Sequence, residues 1–258
     1  MNKQLLTIGE ASRIIGVSVV TLRRWEQQGI LKSFRPSLRS NRYYRVHDVE
    51  DFLDKKKPMF QNADDVRRSS TRIEDLATAW VHDGSSVELS ADFYCNTSDV
   101  FQARLQKLEK ELSKISSLKD IYNLLTAIVG EIGNNSYNHN IGNWPDVPGI
   151  FFSYDISRRI VVLADRGRGV YTTLKRVVPN LHDHQDALRV AFTEYVSGRA
   201  PEDRGNGLKF VRDVLVSHSL QLKFFTGNAA LELEKGTEDL KIRETNKPFH
   251  GCLAFIYF

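Results

Sequence analysis

At 258 residues, 41% hydrophobic and 26% charged, the chain has the composition of a folded globular protein with enough apolar residues for two cores, which excludes intrinsic disorder. The first twenty residues lack a basic start followed by a sustained apolar run, and no apolar stretch approaches the roughly eighteen residues that cross a bilayer, so a cytoplasmic location with no membrane partner is expected. Cys95 and Cys252 are the two cysteines, too few for a disulfide framework or a metal site of their own, and they read as free thiols.

The net charge of +4 conceals an asymmetry: residues 1–57 hold twelve Lys/Arg against six Asp/Glu, which leaves −2 for the remainder. A small basic unit on a larger near-neutral body points to double-stranded DNA as the partner of the first. Thr7 to Ile15 places Ile8, Ala11, Ile14 and Ile15 on one helix face, with Thr7 as N-cap and Glu10 as its capping-box partner. Gly16-Val17-Ser18 breaks that helix. A second helix follows Ser18, carries Leu22 and Trp25 on its apolar side and Thr21, Arg23, Arg24 and Gln27 on its polar side, and ends before Gly29. Two short helices joined by a glycine-containing turn have the form of a helix-turn-helix. Lys32 to Arg45 then interleaves basic residues, Arg39 and Arg42 among them, with Phe34, Tyr43 and Tyr44, and a helix runs from about His47 to Lys55. Such a hairpin makes a wing that lies along phosphates.

The segments Thr7-Ile8-Gly9-Glu10-Ala11, Gly16-Val17-Ser18, Thr21-Leu22-Arg23-Arg24-Trp25-Glu26, Gly29-Ile30-Leu31 and Arg42-Tyr43-Tyr44 resemble the winged helix-turn-helix of the MerR family over residues 5–55. The resemblance implies that Ser18, Thr21, Arg23 and Arg24 approach the major groove or its phosphates, that Arg39, Arg42 and Tyr43 belong to the wing, and that the protein acts as a homodimer on paired half-sites.

Residues 58–118 read as a linker and helical connector. Lys55-Lys56-Lys57-Pro58 closes the first unit, Phe60 to Thr71 is polar, Ile73 to Trp80 has the pattern of a short helix and Ser86 to Phe93 that of a strand. Phe101, Leu105, Leu108, Leu112 and Ile115 repeat as an a/d seam over about two heptads. A helix over 100–118 with that seam either packs on its own domain or pairs with a second copy.

Residues 119–258 read as a second domain. A helix from Ile121 to about Asn140 buries a broad stripe, and along its edge Glu131, Asn135 and His139 stand one above another at four-residue spacing. Taken alone, such a line is more often the polar edge of a half-buried helix satisfied by water. Strands Ile150–Tyr154 and Ile160–Ala164 lead to Asp165-Arg166-Gly167-Arg168-Gly169, which taken alone is equally an ordinary turn. After a long polar segment, Arg204-Gly205-Asn206-Gly207 opens an apolar helix over Leu208 to Val216, and glycines at a helix start offer N–H groups to an anion. Strands are expected near Leu220–Thr226, Ala229–Glu234 and Cys252–Phe258, the first two joined by a hairpin at Gly227-Asn228.

Glu-x-x-x-Asn, Asp-x-Gly-x-Gly and Gly-x-Gly-Leu in this order resemble the ATP-binding fold shared by gyrase, heat-shock chaperones, histidine kinases and MutL, and Glu131-x-x-x-Asn135-x-x-x-His139 is most similar to the bacterial anti-sigma-factor serine kinases. The resemblance implies ATP and Mg²⁺ as cofactors. It implies that Asp165 accepts from the adenine amino group, that Gly167 and Gly169 leave room for the base, and that Asn135 holds the Mg²⁺. Glu131 would activate the attacking water or hydroxyl, Gly205 and Gly207 would donate to the phosphates with Arg204 and Lys209 adding positive charge, and residues 171–204 would form a lid. His139 reads as scaffold. Asp203 and Lys209 depart from the fuller second glycine motif, which bears on the lid contacts.

The expected architecture is therefore α+β: an amino-terminal winged helix-turn-helix over 1–57 and a carboxy-terminal α/β sandwich with a mixed, largely antiparallel sheet. The expected function is a DNA-binding transcriptional regulator coupled to Mg-ATP binding, with slow hydrolysis. The alternative is a protein serine/threonine kinase acting on a partner, the helix-turn-helix being a targeting module. Hydrolysis and phosphotransfer use the same Glu131 and Mg²⁺, so the sequence leaves both open, together with a domain that has kept the fold for dimerisation alone.

Overall fold

The computed structural model describes residues 5–15, 19–27, 29, 31–35, 41–56, 72–82, 87, 89–194, 207–237 and 239–258. The chain divides into two compact units, Met1–Arg68 with Glu88–Asp92 and Ser69–Val87 with Phe93–Phe258. Among the described residues no helix is long and apolar enough to cross a membrane.

The first unit opens on β1 (Leu5–Thr7), whose last residue caps α1 (Ile8–Ile15). The capping box is complete: the Glu10 N–H donates to Thr7 Oγ1 at 3.3 Å, and Glu10 Oε2 accepts from the Thr7 N–H at 2.8 Å. Thr7→Ala leaves a first-turn N–H without its side-chain acceptor and is expected to cost about 1 kcal/mol. A urea titration following the exposure of Trp25 reads this as a lower midpoint; an unmoved midpoint would mean that the cap contributes nothing.

Next come α2 (Val19–Gln27), β2 (Tyr43–Arg45) and α3 (Val46–Lys56), with β2 antiparallel to β1 so that Leu5 faces Arg45 and Thr7 faces Tyr43. Leu22 and Trp25 lie three residues apart on one face of α2 and are fully buried with Ala11, Tyr44 and Val49. The Trp25 and Phe52 ring centroids are 5.1 Å apart. This aromatic pair closes the core between α2 and α3 and takes Trp25 away from any surface role.

The second unit begins with α4 (Ile73–His82) and is built on a sheet of β3 (Tyr94–Cys95), β4 (Ile150–Asp155), β5 (Ile160–Asp165), β6 (Gln221–Glu234) and β7 (Lys241–Tyr257). The order is β3-β4-β5-β7-β6, and every neighbouring pair is antiparallel, where a mixed sheet was expected. Short turns join β4 to β5 and β6 to β7, which forces antiparallel pairing within each hairpin.

One face of the sheet, carrying Phe152, Val161, Leu163, Phe224, Ala254 and Ile256, packs under α5 (Ser98–Leu112), α6 (Tyr122–Asn140), α8 (His184–Thr193) and α9 (Gly207–Ser217) in a single core. Strand periodicity sends the intervening residues, Phe151 and Val162 among them, to the opposite face. There α4 lies across β4, β5 and β7, burying Ile73, Ala77, Trp80 and Val81.

Several expectations change here. The a/d seam Phe101, Leu105, Leu108 and Leu112 is buried in its own unit rather than open to a second copy. The reason lies in α6, where a Cβ at Gly133 would collide with the Phe101 ring, so glycine lets the two helices come close enough to fill the seam. No hairpin forms at Gly227-Asn228: β6 runs straight through, with register shifts at Gly227, whose φ is 58°, and the chain reverses between Glu234 and Lys241. Ser86 and Glu88 lie outside the described residues, and among 87 and 89–93 no strand forms; the edge strand is Tyr94–Cys95. The described part of the expected lid is folded, with α7 (Gly169–Leu174) and α8 packed beside the sheet and Leu188 and Phe192 in the main core. Residues 195–204 of that segment and the two that follow it lie outside the described residues.

Candidate functional site

In the first unit α2 carries Thr21, Arg23 and Arg24, and Arg23 is exposed. Ser18 and Arg39 lie outside the described residues. The hairpin expected after Lys32 is formed at its base, where Phe34 and Tyr43 pair antiparallel through N–H···O distances of 2.7 and 2.9 Å. Tyr43 is half-buried there, while Lys32, Arg35 and Arg45 are exposed.

Arg42 does something other than reach for phosphate. Its Nε donates to Glu26 Oε2 at 2.5 Å, and Glu26 Oε1 also accepts from the Ser33 hydroxyl. Burial alone would raise the Glu26 carboxyl, but hydrogen bonds from Ser33 and Arg42 outweigh it and hold the group below its ordinary value. Arg42 therefore braces the base of the hairpin against α2 and keeps the hairpin's orientation relative to that helix.

In the second unit Glu131, Asn135 and His139 are half-buried along α6. Gly207 is the first residue of α9 and meets this line: a Cβ on it would collide with Glu131 Oε2 and lie 3.6 Å from Asn135 Nδ2. The start of α9, with its N–H groups and positive dipole end, thus stands against that carboxylate and amide. Lys209 is half-buried on the first turn of the same helix. Arg204 and Gly205 lie outside the described residues.

Asp165 ends β5 and is 2% exposed. Its Oδ2 accepts from Ser136 Oγ at 2.7 Å and its Oδ1 from the Gly167 N–H at 2.8 Å. Burial pushes the carboxyl above the ordinary aspartate value, against the lowering effect of hydrogen bonds from Ser136 and from the Gly167 and Cys252 N–H groups. Ser136 directly follows Asn135, so neighbouring positions of α6 approach Gly207 of α9 and bond to Asp165 of β5.

The two glycines after Asp165 are packed by protein. A Cβ at Gly167 would run into the Asn140 amide, whose Oδ1 accepts from the Arg168 N–H at 2.9 Å and whose Nδ2 donates to the Ser136 carbonyl at 2.8 Å. Gly169 has φ 73°, and a Cβ there would lie 2.9 Å from Thr226 Oγ1 and 3.2 Å from the Gly251 carbonyl. Thr226 Oγ1 donates to that carbonyl at 2.8 Å and accepts from the Val170 N–H at 3.2 Å. The room expected beside Gly167 is thus filled by Asn140, and what the glycines secure is the shape of the turn.

Ser136, Asn140, Thr226 and Cys252 join the site only through the fold. Ser136 and Asn140 carry a sequence signal, being polar at four-residue spacing on the helix that bears Asn135. Cys252 and Thr226 carry none, because their place beside Asp165 follows from the register pairing Asp165 with Cys252 and Cys252 with Thr226.

The described residues of the first unit show a capped α1 and an α2 that share one core, with Arg23 exposed on α2. Residues 6–53 match the family model described as MerR HTH family regulatory protein, and this stretch is a MerR-family helix-turn-helix domain. A domain of this family suggests a DNA-binding transcription regulator. None of the curated proteins compared matches the chain.

Proposed function

We propose that the second unit binds Mg-ATP and that its occupancy sets the DNA affinity of the helix-turn-helix. The observation that carries this reading is the convergence of Gly207, Glu131, Asn135, Ser136 and Asp165 from three elements that are distant in sequence. A buried carboxylate at a strand end and a glycine-started helix facing an acid and an amide are the two halves of a nucleotide site, one for the base and one for the phosphates.

The residues fit the ligand. Asp165 has two oxygens with about four lone-pair positions, and the hydrogen bonds from Ser136 and from the Gly167 and Cys252 N–H groups leave one for an exocyclic amino group. Gly207 opens α9 directly against Glu131 Oε2 and near the Asn135 amide, which sets the start of that helix beside both side chains. Among the described residues no group of three or more His, Cys, Asp or Glu is placed to hold a metal. A cation whose other ligands are the phosphates needs no such cage, and Asn135 is the residue that would contribute to it. When bound, Mg²⁺ supplies neutralising charge to those phosphates. Within this reading Glu131 orients and deprotonates a water, Gly207 and Gly205 give N–H groups to the phosphates, and Arg204 and Lys209 add positive charge. Gly167 and Gly169 hold the turn that presents Asp165.

Isothermal titration of the full-length protein with Mg-ATP and with Mg-GTP tests the site. Saturable binding of ATP with weaker binding of GTP is expected, because guanine presents a carbonyl where adenine presents the amino group. No binding of either nucleotide would remove the reading.

On the DNA side, Arg23→Ala with Arg24→Ala is expected to weaken binding to all duplexes and to make the dependence of log K on log salt shallower by roughly one for each phosphate that is no longer neutralised. An unchanged slope would show that these arginines do not meet phosphate.

A further inference from the structure

Consecutive residues at a strand end point to opposite faces of the sheet, and Asp165 and Arg166 are such a pair. Asp165 faces Ser136 on α6, while Arg166 turns to the face that α4 covers and places its guanidinium carbon 5.7 Å from the centre of the Trp80 ring. Arg166 is 7% exposed and Trp80 is 3% exposed, so a charge is held between layers at the turn of the proposed site. Its other partner is Asp146, in the loop that links α6 to β4. One side chain thus touches the helix that leads into the sheet unit, the loop leaving the helix of Glu131 and Asn135, and the turn that presents Asp165.

At its far end α4 is fixed by Glu74, whose two carboxylate oxygens accept from both terminal nitrogens of Arg158 in the β4–β5 turn, one of them at 3.0 Å. The helix therefore spans the length of β5 and is pinned near both of that strand's ends. In sequence α4 is the first element of the sheet unit after residues 57–71, which connect it to the helix-turn-helix.

From this geometry we infer that Arg166 and Trp80 form the contact through which the nucleotide site acts on α4, the first described helix after residues 57–71, and so on DNA binding. A ligand that engages Asp165 changes the turn at residues 165–169. Arg166 transmits that change to Trp80 because it cannot follow the turn without altering its place over the ring, and α4 carries it to the connecting segment. This inference rests on the proposed nucleotide site and names how that site regulates DNA binding. Trp80 and Arg166 are positioning residues in it and touch neither ligand. The two arrangements of the turn must differ in free energy when nucleotide is bound, and linkage then requires ATP to shift DNA affinity and DNA to shift ATP affinity by the same factor.

The test uses full-length protein, a fluorescent duplex selected from random sequence by the wild-type protein, and Mg-ATP. For the wild type, saturating ATP is expected to shift DNA affinity by roughly fivefold or more, with DNA shifting ATP affinity equally. Arg166→Met keeps the apolar stem in place, removes the cation and leaves Asp146 half in solvent. It is expected to reduce both shifts to less than about twofold while DNA affinity without ATP stays within about threefold of the wild type. Trp80→Leu is expected to do the same, and Trp80→Phe, which restores a ring face for the cation, to keep at least half of the logarithm of the shift. A second unit damaged in folding would lose ATP binding itself, so ATP affinity without DNA, expected within about threefold of the wild type in each variant, separates the two causes. A wild type in which ATP binds and shifts DNA affinity, together with an Arg166→Met protein showing the same shift, overturns the inference and leaves the nucleotide site standing. A wild type that binds no ATP overturns both.

Discussion

Asp165→Asn is expected to abolish Mg-ATP binding at concentrations that saturate the wild type. The substitution loses more than one charge. The Asn amide turns an N–H₂ group toward donors that now bond to the carboxylate, the Ser136 hydroxyl and the Gly167 N–H, and it meets the amino group of adenine as donor against donor or leaves one of the protein's donors unpaired. A charge-assisted hydrogen bond with a newly unsatisfied buried donor amounts to about 3 kcal/mol or more, a loss of upwards of roughly 100-fold in affinity. The pH dependence has a sign. Burial holds the Asp165 carboxyl above the ordinary aspartate range, so on acidification it takes up its proton earlier than a free aspartate, and ATP affinity is expected to fall as pH drops through that raised value. Ser136→Ala removes one of the bonds that lower the carboxyl's pKa and should move the fall to higher pH. ATP binding with unchanged affinity in Asp165→Asn would end the assignment of this residue.

Glu131→Ala is expected to leave ATP binding within about threefold and to lower turnover by about 10²–10⁴. The separation follows from position. Glu131 stands four residues before Asn135 on α6, against the glycine that opens α9, at the phosphate end of the proposed site and away from the strand end that carries Asp165. A base at that place acts on the attacking oxygen and contributes little to holding the adenine. Measured phosphate release at the wild-type rate in Glu131→Ala would place the base elsewhere. Gly207→Ala should displace the Glu131 carboxylate, since its Cβ would collide with Oε2, and so lower turnover more than binding.

How much of the fold and the site is legible in the sequence divides by range. The α1 cap, the ends of α2 and the burial of Trp25 follow from local spacing, and residues three or four apart decide them. The run from Tyr122 to Asn140 is equally readable, since its long amphipathic period continues across Gly130 and Gly133 with no proline inside it and leaves few alternatives to a helix. Gly227-Asn228 shows the opposite limit. The dipeptide has the chemistry of a tight turn, yet the strand passes through it, because pairing with the long β7 on one side and packing under the helices on the other outweigh a local preference.

The α5 seam is visible as a pattern and its partner is not. Phe101, Leu105, Leu108 and Leu112 state that one face is buried, and nothing within those residues says whether the cover is a second copy or α6; Gly133 against Phe101 decides it. Arg42 likewise reads as a surface cation until its bond to Glu26, sixteen residues away, places it as a brace. For the proposed site, Glu131, Asn135, Asp165 and Gly207 are legible as types at suggestive spacings, while the join between them through Ser136 and the backing of the turn by Arg166 and Trp80 require the fold.

The measurement that bears most directly on the central claim is the DNA-binding titration of the full-length protein with and without saturating Mg-ATP, at one fixed salt concentration. The account predicts two isotherms displaced by roughly 5- to 150-fold, the range of an ordinary coupling free energy. Superimposable isotherms, in a sample shown by titration to bind ATP, would contradict it.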